Sequence, residues 1–416
     1  MKFSRATLSD LPEFHVGRAQ NSEAATGCTV VVSPEGATCS VDVRGGGPAT
    51  RETDLLKPEN MVEAVHAVVL SGGSAFGLEA STGVMQALAE KGIGFELCGL
   101  HVPIVVGACL FDLPYGKPEH PTAEMGACAC KAALYDDAAS DNTMLDSSTL
   151  NNPVLPQENA QTASNGAIQN EFYNSLPHVS EESSFTILSG AAEGNVGAGC
   201  GATVGKMLDP AQATKSGLGI YGIRCDSIVA VAIVAVNALG TVCLPDGTPL
   251  AGHRDADGNL MNPLDPVLLS MMPGSSTETT SPSHPVDENS TCSESNPRSN
   301  STASSGCTAP CTNTTIGVVL TNAKLTKAQC QKVSSITHDA YARTIKPVHT
   351  SADGDTIFTL ASGKQDAPFD LVAIMATEAM QGAILRAVTT AKAACGLPAA
   401  QDINPELCTQ IFSDFS

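Results

Sequence analysis

The most constraining feature of this chain is an abrupt change of character at residues 313 and 314. From Ser270 to Thr312 the sequence is dense in Ser, Thr, Pro and Asn and nearly free of aliphatic residues after Met272. Such a tract cannot bury enough apolar surface to offset its ordering entropy, so it is expected to form a mobile loop. At Thr315 a β-branched run begins, Thr315-Ile316-Gly317-Val318-Val319-Leu320-Thr321, which reads as a buried strand. A polar tract therefore ends directly at the core.

Thr314 stands at that junction. An internal threonine there is placed for an N-to-O acyl shift, in which its hydroxyl attacks the Asn313 carbonyl and water hydrolyses the resulting ester. The product would begin with Thr314. Its α-amine, with a reference pKa of about 7.7–8.0, could then act as base for its own hydroxyl. Taken alone, Asn-Thr before a strand is equally an ordinary loop-to-strand boundary. A second cluster, Asp353-Gly354-Asp355, precedes another strand at Thr356 to Leu360. Alternate carboxylates flanking glycine can both approach one small polar group, or simply form a solvated turn.

Strands and helices are mixed along the rest of the chain. His66 to Leu70 reads as a buried strand, Ser71 to Ser74 as a turn, and a helix follows to about Ala89, ended by Gly92 and Gly94. Ser227 to Ala238 reads as a central strand. Thr326 and Gln329 have capping-box spacing and start a helix with Val333, Ile336 and Ala340 on one face and Pro347 beyond its end. Asp370 opens a last long helix with Leu371, Ile374, Met375 and Ala379 inward and Gly396 and Pro398 at its stop. A stretch from about Leu134 to Ser184, rich in Asn, Ser and Asp, reads as an insertion. Few clean βαβ units occur, and sheet packed on sheet with helices outside fits the pattern.

Composition excludes some functions. A net charge of −21 repels phosphate backbones and anionic membranes, and 4% aromatics with no Trp suit no nucleic-acid platform. The longest apolar run, Ile228 to Val236, is too short to span a bilayer. Met1 to Gly17 has no apolar stretch of signal-peptide length. Fifteen cysteines are then expected as mostly reduced, buried thiols of a cytoplasmic protein. Gly197 to Ala202 matches a dinucleotide-binding pattern but follows no convincing strand, so a close-packed turn is expected. Gly205-Lys206 lacks a P-loop's neighbours, and Gly72 to Gly77 has its second glycine one residue late for a nucleophile elbow. Cys307/Cys311 and Cys128/Cys130 have no standard zinc spacing. His338 and His349, taken alone, read as packing or surface residues.

Several segments, in order, resemble one family. They are Val43-Arg44-Gly45-Gly46 to Arg51-Glu52-Thr53-Asp54, Leu70 to Gly77, Gly194 to Gly199 with Gly205-Lys206, Val234 to Gly240, Asn313 to Ala323, Lys346 to Thr350, and Asp353 to Thr356. Together they resemble the DmpA/BapA-type peptidases, a family of L-aminopeptidase/D-esterases, β-aminopeptidases and nylon-oligomer hydrolases. The resemblance covers about residues 24–135 and 185–395. It implies an α+β, four-layer αββα sandwich of the DmpA/ornithine-acetyltransferase type, Ntn-like. It implies self-cleavage at Asn313-Thr314 into chains 1–313 and 314–416 of one composite domain. It further implies a homo-oligomer, often a tetramer, a peptide or small-amide substrate, and no metal or organic cofactor. Thr314 matches the nucleophile, Asp353 and Asp355 the pair that orients it, and Lys206 and Asn237 groups near the reacting carbonyl. Glu124 falls in a segment expected to touch substrate, where Ala127 and Cys128 stand in place of an expected nearby Tyr. An acyltransferase of the ornithine acetyltransferase kind shares the fold, and a silent binding protein could keep it.

Overall fold

The computed structural model describes residues 2–135, 144–145, 185–270 and 313–414. The tracts read as insertions, 134–184 and 270–312, lie almost wholly outside the described residues.

Twelve strands form the main sheet system. In chain order they are β1 (Ser4–Ala6), β2 (His15–Asn21), β3 (Thr26–Val43), β4 (Ala49–Arg51), β5 (Val65–Ser71) and β6 (Val105–Cys109). Then come β7 (Met144–Leu145), β8 (Thr186–Ser189), β9 (Leu218–Cys225), β10 (Ile228–Asn237), β11 (Thr314–Ala323) and β12 (Thr356–Gln365). Four long helices cover them: α1 (Glu79–Glu90), α2 (Ala123–Ala133), α3 (Lys327–Thr344) and α4 (Phe369–Thr389).

The 18-residue β3 belongs to two sheets. Its first half pairs with β2 and β5, and its second half, from Thr38, pairs antiparallel with β12. One sheet therefore runs β1-β9-β10-β11-β12-β3, and the other carries β7, β8, β2, β3, β5, β6 and β4. Side chains alternate across each strand, so each sheet has two apolar faces to bury. Val31, Val68 and Leu70 of one sheet meet Ile233, Ile316, Val318 and Phe358 of the other in an inner core. Val234, Val319 and Ile357 face outward against Val333 and Tyr341 of α3 and Met375 and Met380 of α4. Val30, Val69 and Val105 pack against Val84 and Leu88 of α1 and Ala129 of α2. The result is the expected αββα sandwich.

Most local expectations match the observed elements within a few residues. Thr326 Oγ1 accepts the Gln329 N–H, and the Gln329 side-chain oxygen accepts the Thr326 N–H in return, completing the box. The end of α4 differs, and two shorter helices, Ala400–Ile403 and Pro405–Asp414, follow it. α4 stops at Thr389, Gly396 lies beyond it in a turn closed by Ala394 and Leu397, and Pro398 follows that turn. Its inward face also differs, since Ile374 is 52% exposed. Val372, Met375, Ala376, Ala379, Met380 and Ala383 form the buried stripe, and Ile374 lies about 200° from Val372 at 100° per residue. This helix is long and apolar enough to cross a membrane by length and composition, but 72% of its apolar window is buried in the sandwich.

Candidate active site

The topology brings three strand ends together. β11 and β12 run parallel, with Ile316 opposite Thr356, so the residues entering each strand are neighbours. Asn313 forms an isolated parallel bridge with Asp353. β10 runs antiparallel to β11, and its last residue, Asn237, is paired with the first, Thr314. The Thr and Asp-Gly-Asp clusters, 39 residues apart, meet because the α3 crossover returns the chain to the same sheet edge in parallel.

At the centre, the Thr314 hydroxyl donates to the carbonyl oxygen of Asn313, in its own upstream peptide link. That oxygen also accepts the Gly354 N–H at 2.8 Å, and Asn313 N donates to Ala352 O at 3.0 Å. A Cβ on Gly354 would lie 2.6 Å from Thr314 Oγ1, so only glycine lets its backbone come this close. Thr314, Asn313, Asp353, Asp355, Lys206 and Asn237 are each at most 4% exposed.

The two carboxylates hold the surrounding frame. Asp353 Oδ2 accepts from Thr350 N at 2.8 Å and from Thr350 Oγ1 at 2.7 Å. Asp355 Oδ1 accepts the Thr315 N–H at 2.8 Å. Its Oδ2 takes the His349 N–H at 3.1 Å and pairs with His349 Nδ1 at 2.8 Å. Burial and then the neighbouring Asp355 charge push the Asp353 carboxyl above its ordinary range, opposed by the Thr350 bonds and the Lys206 ammonium.

Lys206 and Asn237 form one unit. Lys206 Nζ donates to Asn237 Oδ1 at 2.7 Å and to Asn237 O at 3.1 Å. Asn237 Oδ1 also accepts from Thr203 N at 3.1 Å, and its amide donates to Phe111 O at 2.9 Å. The turn after β10 fixes the Lys206 backbone, since Lys206 N donates to Leu239 O and Gly205 N to Gly240 O. Asn237 is thus an anchor for the ammonium, and Lys206 is the cation whose charge bears on Asp353 and Asp112.

Two residues passed over as a site in the sequence belong here. His349 is bonded to Asp355 rather than serving as a surface group. Asp112, next to Phe111, is buried and accepts from Gly73 N at 2.7 Å and Thr26 Oγ1 at 2.9 Å. Burial raises its carboxyl to about 6, against the pull of its hydrogen bonds and of Lys206. Glu124 sits in the first turn of α2, where Thr122 caps Met125 N. The bonds described above run through other residues. The Gly197–Ala202 segment is a close-packed turn, in which a Cβ on Gly201 would lie 1.9 Å from Ala25 O. The fully buried Lys215 holds it through Gly199 O and Ala202 O and also donates to Ser216 O.

A profile of peptidase family S58 matches residues 6–142 and 122–400. An uncharacterised aminopeptidase of Mycobacterium leprae is 34% identical over 392 residues, covering 90% of this chain and 85% of that protein. A 6-aminohexanoate-oligomer endohydrolase of Agromyces sp. is 25% identical over 360 residues, covering 86% and 76%. Among solved structures, a β-aminopeptidase of Burkholderia sp. aligns with a TM-score of 0.55 at 14% identity, over 100% of this chain and 96% of that one. The L-aminopeptidase D-Ala-esterase/amidase of Ochrobactrum anthropi, described as a variant of the Ntn hydrolase fold, aligns with a TM-score of 0.51 at 13% identity, over 100% and 98%. At these identities the two structures establish the fold.

Proposed function

The chain belongs to peptidase family S58 and is a hydrolase, and on that premise we propose that it cuts itself before Thr314 and then releases N-terminal residues from peptides or small amides. In the first step Thr314 Oγ attacks the Asn313 carbonyl carbon. The C–N bond breaks, the hydroxyl proton passes to the nitrogen, which becomes an amine, and the acyl group passes to oxygen. Water then hydrolyses the ester, leaving an Asn313 carboxylate and a free Thr314 amine. The observation that carries this reading is the Thr314 hydroxyl bonded to its own upstream carbonyl, whose oxygen also accepts the Gly354 N–H at 2.8 Å. A backbone donor aimed there stabilises the negative charge that develops on that oxygen.

In turnover the new amine takes the hydroxyl proton, Thr314 Oγ attacks the substrate carbonyl, and the proton passes to the leaving amine. Water releases the acyl group. Lys206, held by Asn237, supplies the positive charge near the reacting carbonyl, and Asp353 and Asp355 fix the frame. Glu124 contributes to substrate binding. The chain works in the cytoplasm as a homo-oligomer, a location supported by the twelve described cysteines, all free and ten of them buried.

Thr314→Ala tests the reading. With a panel of N-terminal α-peptides, β-peptides, D-esters and synthetic amides, the wild type should hydrolyse at least one class. The variant should lose it by about 10³-fold or more, as expected when a covalent nucleophile is removed. Undiminished hydrolysis by Thr314→Ala would refute it, and product appearing only with an added amine acceptor would reassign the protein as an acyltransferase.

A further inference from the structure

We infer that His349 is a positioning residue for the reactive Thr314, acting through Asp355, an inference that rests on the reading of Thr314 as the nucleophile. The argument starts from what would hold Thr314 once its upstream link is cut. Before cleavage the residue is anchored on both sides. Asn313 is tied to the Asp353 loop through Ala352 O and Gly354 N. Cleavage ends that covalent anchor. The first peptide group that still fixes the new terminus is the one between Thr314 and Thr315, and its N–H is held by Asp355 Oδ1 at 2.8 Å. The placement of the new amine and of Oγ therefore depends on where the Asp355 carboxylate lies.

His349 fixes that carboxylate. Its backbone N–H at 3.1 Å and its Nδ1 at 2.8 Å both meet Oδ2. With Thr315 N on the other oxygen, both oxygens are engaged and the plane of the carboxylate is set. The imidazole is itself locked. Its ring meets the edge of His338 at 4.8 Å between centroids and lies over the Tyr341 ring at 6.0 Å. His338 is wholly buried on α3, and its Nε2 lies 3.1 Å from Asp42 O. Burial pushes the His338 imidazole down to about 4, so it is neutral near pH 7 and can abut His349 without charge repulsion. Rigid support of this kind holds a reacting group within the narrow geometry that catalysis requires, and a displacement of about 1 Å can cost roughly 10²-fold in rate.

Two substitutions separate positioning from packing. His349 has φ +56°, a left-handed conformation that glycine and asparagine tolerate. His349→Gly keeps the backbone and removes the side-chain donor. His349→Asn keeps the backbone and returns an amide donor near the place of Nδ1. Cleavage is followed by intact mass, turnover by steady-state kinetics on the cleaved protein, and folding by thermal melting. Both variants should still cleave, because the Asn313 anchors are present during that step. The Gly variant should lose about 10–100-fold in kcat with KM within about threefold, and the Asn variant should recover to within about fivefold of the wild type. Three outcomes overturn the inference while leaving the nucleophile in place: a Gly variant within twofold of the wild type in kcat, an Asn variant as deficient as the Gly variant, or losses that only follow a melting point lowered into the assay range. A wild type that neither cleaves nor turns over would remove the reading of Thr314, and this inference with it.

Discussion

At the scale of single residues, the site separates what a sequence can announce from what only tertiary structure assembles. Thr314, Asp353 and Asp355 stand out locally, because a polar tract meets a strand and two carboxylates flank a glycine. The sequence offered one polar group for both carboxylates to approach. The structure instead turns Gly354 toward the Thr314 hydroxyl and gives the carboxylates to Thr315, His349 and Thr350. Asp112 had no local signal, since its partners Gly73 and Thr26 lie 39 and 86 residues away. Its carboxyl, at about 6 in the folded chain against 3.8 ordinarily, is more readily protonated when folded. The stability it contributes is therefore present below about pH 4 and is lost as pH rises through 6, by roughly 2–3 kcal/mol. Asp112→Asn cannot ionise and can keep both hydrogen bonds if the Thr26 hydroxyl reverses. Its melting temperature should gain on the wild type between pH 4 and 7. Parallel melting curves for the two proteins over that range would contradict this.

At the scale of elements, periodicity located the strands and helices, because each buries a face with the period of its own backbone. It failed where length and composition blurred the face. In α4 apolar residues occur all round, so the inward stripe could not be phased from the sequence, and Ile374 falls outside. The contrast is measurable by urea denaturation. Met375→Ala should cost about 2–5 kcal/mol through the cavity it leaves, whereas Ile374→Lys should stay within about 0.5 kcal/mol. Equal costs would place the stripe wrongly. The glycine-rich segment before Lys206 shows a different limit. Its pattern matches a nucleotide loop, but the close-packed turn expected from its context is what forms, held by the Lys215 ammonium on the Gly199 and Ala202 carbonyls and by backbones that leave no room for a Cβ.

At the scale of the whole molecule, the four layers follow from two sheets that each need both faces covered, joined by one strand long enough to serve both. The sandwich explains why the site lies where it does. Two parallel strands of one sheet start side by side, an antiparallel neighbour ends beside them, and all three are sealed by the second sheet and the outer helices. Three of the motifs that carry the family resemblance, Val234 to Gly240, Asn313 to Ala323 and Asp353 to Thr356, sit at those strand ends. How the 134–184 and 270–312 tracts meet it lies outside the described residues.

The central claim is that the bond between Asn313 and Thr314 breaks through the Thr314 hydroxyl. Intact mass with N-terminal sequencing of purified wild-type protein and of Thr314→Ala tests it directly. The account predicts two wild-type chains, of 313 and 103 residues by division of the 416-residue chain before position 314, the shorter beginning at Thr314, and a single uncut chain for the variant. A wild type that is active while residues 313 and 314 remain joined, or a Thr314→Ala chain cut at the same bond, would contradict it.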